Sequence, residues 1–267
     1  MGLKVKIFVG LLAIYLLAVL VMYFLQRTFL YFPDVDNYLT EEKIQGAPDI
    51  VYIDSKENIQ LYSWFHFKNP AAKTVLFLHG NAGTLNSRIY KLNYFRDLGL
   101  NYLAISWRGF SGNKGGPTEK GLYEDAYSAL TWLNQRGVDS NKIVIYGESL
   151  GTGIALEVSQ HQDYAGLILE SPYTSIVDMG RISFPFLPIK FILKDRFDSM
   201  KKTKNIEIPT LVMHGKKDSL VPFYMGQKVY DSLVTEKYSY FVDDDDHMMR
   251  FDSSMKNALG GFFNKLD

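Results

Sequence analysis

Hydrophobic and polar positions follow two regimes along this chain. Residues 5–25 are apolar almost without a break, interrupted by one charge, Lys6, and by Tyr15 and Tyr23. A run of about 21 such residues has the length of a helix that crosses a bilayer. Tyr31-Phe32-Pro33-Asp34 ends it, because proline cannot continue a helix. Beyond this point short apolar strands alternate with amphipathic stretches. Ile50-Val51-Tyr52-Ile53 and residues 59–67 flank the turn-like Asp54-Ser55-Lys56-Glu57-Asn58, which predicts a hairpin over 49–68.

From residue 73 the order is strand, loop, helix, repeated. Residues 73–78 are apolar and lead into His79-Gly80-Asn81-Ala82-Gly83. Residues 86–98 read as a helix stopped by Gly99, and 102–107 as a strand followed by a glycine-rich loop over 109–117. Residues 118–136 place Leu122, Ala126, Ala129, Leu130 and Leu133 at helical spacing, between a Thr118 cap and a Gly137 stop. Further strands are predicted around Ile143 and over 166–170, 209–213 and 238–242. The alternation predicts an α/β fold with a mostly parallel sheet covered by helices on both faces.

One stretch breaks the alternation. Phe184-Pro185-Phe186-Leu187-Pro188-Ile189-Lys190-Phe191-Ile192-Leu193 is apolar but holds two prolines, which oppose a regular core helix. It reads either as a helix-loop on the sheet edge or as a small cap over about 173–207. The apolar side of such a cap would line an acyl pocket or touch a membrane surface.

Composition narrows the classes. The 267 residues are 47% hydrophobic and 22% charged, enough for one well-filled α/β domain. Net charge is zero and no basic stripe stands out, so no nucleic-acid partner is expected. The absence of cysteine excludes disulfides, a thiolate nucleophile and Cys-ligated zinc. For residues 5–25 a cleaved signal peptide is the rival of a retained anchor. The length of the run and the lack of a small-x-small site after it favour the anchor. Lys4, Lys6 and the terminal amine lie before or at the start of the run, and Arg27 alone follows closely. The positive-inside bias then keeps the N-terminus cytoplasmic and sends the remaining domain to the opposite side.

The candidate chemistry centres on Gly147-Glu148-Ser149-Leu150-Gly151, a G-x-S-x-G sequence between the β-branched run ending at Tyr146 and a helix-forming stretch. A serine in so sharp a strand-to-helix turn presents its hydroxyl, and makes Ser149 the candidate nucleophile. It needs a base and a carboxylate that orients the base. Asp218 lies in the loop that leaves the strand Thr210-Leu211-Val212-Met213-His214, in a G-x-x-D-x-x-x-P context, on the ligand-binding rim of a parallel sheet. His247 is the only histidine after Asp218, in the loop after the last strand. His79 and His214 read as structural, and His66 and His161 as surface or edge positions. Asp243-Asp244-Asp245-Asp246 reads as a solvated acidic loop, since one contiguous run lacks the spaced ligands of a calcium site. The N–H groups of Leu150 and of Asn81, with Ala82 next to it, are the candidate oxyanion donors. No metal or cofactor is required, and the sequence assigns no substrate-binding residue.

These motifs together resemble the α/β-hydrolase superfamily over roughly residues 50–267. His79-Gly80-Asn81-Ala82-Gly83, Trp107-Arg108-Gly109-Phe110-Ser111-Gly112 and the serine turn look closest to its Bem46-like branch, as does Gln26-Arg27-Thr28-Phe29-Leu30-Tyr31-Phe32-Pro33. Ser106-Trp107 departs from that branch, where an Asp-Tyr type pair is common. The resemblance implies a membrane-anchored serine hydrolase of esters or thioesters, acting on small-molecule, lipid or acyl-protein substrates. Residues 1–32 would be the anchor and juxtamembrane segment, and 33–267 the hydrolase domain. The competing readings are a serine peptidase and a non-catalytic binding protein on the same fold.

Overall fold

In the computed structural model, which describes residues 2–34 and 48–266, the chain begins with helix α1, Leu3–Leu25. None of its residues is buried, and with the 3₁₀ turn Gln26–Phe29 it is long and apolar enough to cross a membrane. Strand β1 is Phe32–Pro33. Strands β2 (Asp49–Ser55) and β3 (Ile59–His66) form the hairpin expected from the sequence, paired antiparallel. β4 (Thr74–Leu78) runs into β5 (Ala82–Gly83), which pairs with β1. The chain that follows α1 is thereby tied to the loop after β4.

Helix α2 (Ile89–Asp97), preceded by a 3₁₀ turn, leads to β6 (Asn101–Ile105) and then α3 (Glu119–Gln135). Thr118 caps α3 by accepting the Gly121 N–H at 2.9 Å. β7 (Ile143–Glu148), α4 (Leu150–Val158) and β8 (Gly166–Glu170) follow. Three short helices, α5 (Ile176–Ser183), α6 (Ile189–Ile192) and α7 (Ser199–Lys202), occupy the stretch where the sequence breaks its alternation. The chain closes with β9 (Thr210–Gly215), α8 (Phe223–Ser232), β10 (Lys237–Val242) and α9 (Ser253–Phe263).

Among the described residues the main sheet has the order β10-β9-β8-β7-β4-β6-β3-β2. All neighbours from β6 to β10 run parallel; the β6–β3 and β3–β2 pairs are antiparallel. Every residue of β4, β6, β7, β8 and β9 is buried, as strands covered on both faces require. Alternate side chains feed two cores. Leu76 and Leu78 join Leu122 of α3, Ile154 of α4 and Val229 of α8. Val75 and Phe77 join Phe95 of α2 and Leu259 and Phe262 of α9.

The structure differs from the sequence expectation at several points. Helices α8 and α9 have no counterpart in the reading above. In α9 the interior pair Gly260-Gly261 weakens the local helix signal, and burial of Met255, Leu259, Phe262 and Phe263 supplies the stability instead. His66 is not a surface or edge residue. β3 lies inside the sheet, and the His66 ring is buried and stacked on Tyr102 with centroids 5.3 Å apart.

Candidate active site

Ser149 sits between the last residue of β7 and the first of α4, with φ 51° and ψ −116°. A positive φ is strained for a residue with a Cβ and is held only by its surroundings. Here the Ser149 N–H donates to Glu170 O at 2.9 Å, and its carbonyl accepts the Thr152 N–H at 2.9 Å. The flanking glycines are steric requirements. A Cβ at Gly151 would lie 2.0 Å from Leu78 O, and one at Gly147 2.6 Å from Gly151 O.

His247 Nε2 lies 2.9 Å from Ser149 Oγ, and its Nδ1 2.7 Å from Asp218 Oδ2. The carboxylate can only accept, so Nδ1 carries the proton and Nε2 is free to accept the Ser149 hydroxyl. Asp218 also accepts the N–H groups of Leu220 at 2.9 Å and Val221 at 2.7 Å, and His214 Nε2 lies 3.0 Å away. Burial opposes its charge. The hydrogen bonds from His214, His247 and the Val221 N–H outweigh burial and hold the carboxyl well below the usual carboxylate range. The sequence-predicted Ser149, Asp218 and His247 thus form one continuous hydrogen-bonded chain.

Leu150 heads α4, where backbone N–H groups have no intrahelical acceptor and the helix dipole favours negative charge. Asn81 faces the same cavity as Ser149 and Leu150. Its side-chain Nδ2 donates to Leu30 O at 2.7 Å, and its carbonyl accepts the Phe32 N–H at 2.8 Å. The side chain is therefore committed to bracing the loop, and its backbone N–H is the group on offer.

The acidic run is more structured than a solvated loop. Asp246 Oδ1 accepts the N–H groups of His247 and Ser219, both at 2.8 Å, and so ties the His247 loop to the Asp218 loop. Asp245 is buried and pairs with Arg250, while Asp243 pairs with Lys216 at 2.6 Å.

A second charged cluster lies directly beneath the serine turn, and the sequence reading missed it. Glu148 is buried and receives Arg88 Nη2 at 2.8 Å, Lys91 Nζ at 2.5 Å and the Gly80 N–H at 3.3 Å. Lys91 is fully buried and also reaches Glu170 at 2.7 Å, which in turn accepts the Tyr146 hydroxyl at 2.6 Å. Arg88 Nη1 donates to Ala82 O at 2.8 Å. Burial alone would raise the Glu148 carboxyl, but the Lys91 and Arg88 charges pull it far below its ordinary value. The cluster clamps the serine turn to the loop that carries Asn81. The available signal was helical spacing: Arg88, which precedes α2, and Lys91, Leu92 and Phe95 within it follow at helical intervals, so two cations fall in line with the apolar side of α2.

A cavity of about 270 Å³ opens beside Ser149 and Leu150. Its walls are mainly apolar and come from the α5–α6 region, from Leu220 and Val221, and from Met22 of α1 with Gln26 and Phe29 of the turn that follows it.

The chain matches the alpha/beta hydrolase fold family over residues 73–187. It is 32% identical to an uncharacterized protein of Mycobacterium tuberculosis over 76% of this chain and 74% of that one. It is also 32% identical to the lysophosphatidylserine lipase ABHD12 of Danio rerio, over 61% of this chain and 48% of the lipase. Among solved structures, an esterase of Pyrococcus furiosus superposes with a TM-score of 0.72 at 21% identity, covering 88% of this chain and 98% of the esterase. With the parallel sheet, the serine turn after its central strand and these similarities, the chain belongs to the α/β-hydrolase family.

Proposed function

We propose that this protein is a membrane-anchored serine hydrolase that cleaves carboxylic esters or thioesters through an acyl-enzyme. The observation that carries the reading is the unbroken chain Ser149 Oγ to His247 to Asp218, set against an apolar cavity. In the proposed reaction His247 Nε2 takes the hydroxyl proton as Ser149 Oγ attacks the substrate carbonyl carbon. The developing oxyanion is met by the N–H groups of Leu150 and Asn81. His247 returns the proton to the departing alcohol or thiol as the tetrahedral species collapses. Water, deprotonated by the same imidazole, then releases the acid and restores Ser149. Asp218 holds the proton-bearing Nδ1 and stabilises the imidazolium throughout. No metal or cofactor enters these steps.

An ester or lipid substrate is supported by the relatives that bear the names lysophosphatidylserine lipase and esterase. Anchoring is supported by α1, which carries no charge from Ile7 to Leu25 and has no buried residue. By charge balance the N-terminus is cytoplasmic and the hydrolase domain lies on the opposite side. The test is covalent labelling by a fluorophosphonate probe. Labelling of the wild type and none of Ser149→Ala is the expected result. An unlabelled wild type, or equal labelling of both, rejects the proposal.

A further inference from the structure

The end of α1 and the cap hold one another through polar contacts. Gln26 is buried, donates from Nε2 to Ile192 O at 3.1 Å, and accepts the Lys194 N–H at 2.6 Å. Arg27 pairs with Asp195 through two bonds, of 2.8 and 3.2 Å. Lys194 Nζ lies over the Tyr23 ring, 4.2 Å from its centroid. Cations that gather at one end of an apolar helix mark the interfacial level of a membrane.

The cap does not stop at that level. The Tyr15 hydroxyl donates to Phe186 O at 3.1 Å. Tyr15 precedes Leu25 by ten residues of helix, about 15 Å along the axis at ~1.5 Å per residue. In a hydrocarbon layer ~30 Å thick, a contact that far from the helix end reaches the inner limit of the near leaflet. The chemistry of the cap tip suits that depth. Phe186 and Phe191 are 87% and 84% exposed to solvent, large apolar surfaces that water does not favour. Pro185 and Pro188 carry no N–H to satisfy. The Leu187 N–H closes onto Phe184 O at 3.1 Å, and Tyr15 supplies the donor for the Phe186 carbonyl. Irregular backbone is tolerated at membrane depth only when its polar groups are met in this way.

Between these two elements lies the cavity that reaches Ser149. Met22, Gln26 and Phe29 line one wall, and Met179, Phe184 and Ile189 the other. Its volume of about 270 Å³ falls just below the usual range of ligand sites, roughly 300 to 1,000 Å³. It suits a single acyl chain better than a bulky body.

We propose that the cap segment 183–192 is inserted in the near leaflet beside α1, and that the cavity between them admits the acyl chain of a membrane-resident ester directly from the bilayer to Ser149. This rests on the reading of α1 as a membrane span and of Ser149 as the nucleophile. On this proposal the anchor is a wall of the substrate site as well as a tether.

The depth is tested on the full chain in phosphatidylcholine vesicles, with Phe186→Trp and quenchers placed on the lipid acyl chains or in water. The signal of the three native tryptophans is subtracted as background. Phe186→Trp emission should fall at least twofold with lipids labelled deep in the acyl chain and resist aqueous acrylamide. Val234→Trp, before the N-terminal end of β10 and so at the opposite end of the sheet from Ser149, should show the reverse. Quenching of Phe186→Trp by acrylamide and not by labelled lipid overturns the insertion. The route is tested with Met22→Trp, which fills the cavity from the anchor side. The ratio of kcat/KM for a dodecanoyl ester to that for a butanoyl ester should drop tenfold or more. Leu11→Trp, on the same helix but outside the cavity wall, should keep the wild-type ratio. An unchanged ratio in Met22→Trp overturns the route. Failure of fluorophosphonate labelling in the wild type would instead strike the hydrolase reading, and the depth measurement would stand by itself.

Discussion

Lys91 Nζ lies 2.5 Å from Oε2 of Glu148, the residue immediately before Ser149 in the chain. Both side chains are buried, and Lys91 bridges from Glu148 to Glu170. Removing one partner of a buried ion pair leaves an uncompensated charge and costs about 3–5 kcal/mol. In Lys91→Met, Glu148 keeps Arg88, but Glu170 keeps only the Tyr146 hydroxyl among these partners. Lys91→Met should therefore lower the thermal midpoint of the detergent-solubilised chain by roughly 10 °C. A midpoint within about 2 °C of wild type would show that the cluster does not support the fold.

The hydrogen-bonded chain through His247 carries a kinetic expectation. Residues that act as a unit are not additive. Ser149→Ala and His247→Ala should each lower kcat by about 10⁵–10⁶, with the double variant no worse than either single one. Asp218→Asn should lower it by about 10⁴, because the amide no longer fixes the Nδ1 proton of His247. Ester hydrolysis by the three single variants and the double variant measures this. A double variant a thousandfold below the singles would mean that Ser149 and His247 act independently.

Much of this site was legible in the sequence, for local reasons. The serine turn announces itself because Gly147 and Gly151 are required within five residues of each other. Asp218 and His247 each follow a strand, and parallel strands deliver their C-terminal loops to one rim. The charged cluster was not legible in the same way. Arg88 ends the 3₁₀ turn before α2, Lys91 is on α2, Glu148 ends β7 and Glu170 ends β8. Only the lateral order of the sheet brings the four together. The β1–β5 pairing and the docking of α1 on the cap likewise join segments far apart in sequence. His66 was misplaced because a hairpin strand looks like an edge until the further strand order is known.

Acid should weaken the fold well before carboxylates titrate. His79 is fully buried, and burial, with the nearby Arg88 charge, pushes its imidazole down to about 3 from 6.5. Its folded pKa is below its unfolded one, so the unfolded chain takes up the proton first as pH falls. The stabilisation is complete above about 6.5 and is lost downward toward 3, at about 1.4 kcal/mol per pH unit. His66 is lowered by burial in the same direction. Asp218 and Glu148 act with the same sign but in lower windows, below their ordinary values of 3.8 and 4.5. Thermal midpoints should fall steadily between pH 6.5 and 4.5, and less steeply in His79→Gln. A wild-type midpoint that stays level across that range would contradict a neutral buried His79.

The brace between Asn81 and the chain that follows α1 separates two truncations that look alike on paper. Deleting residues 1–25 removes the apolar helix but keeps Leu30, whose carbonyl accepts Asn81 Nδ2, and Phe32, whose N–H meets Asn81 O. Deleting residues 1–32 removes both contacts and leaves β5 without β1. A single oxyanion donor contributes about 10²–10³ in kcat when removed outright. A donor left on a loosened loop should lose part of that. On an acetyl ester, where the cavity wall from α1 is not needed, the shorter truncation should turn over about tenfold faster than the longer one. Asn81→Ala in the shorter truncation should reproduce much of the difference, because its backbone N–H persists while the brace through Nδ2 is gone. Equal turnover by both truncations would mean that the loop holds its position without the chain that leads out of α1, and that Glu148 and Arg88 alone fix it.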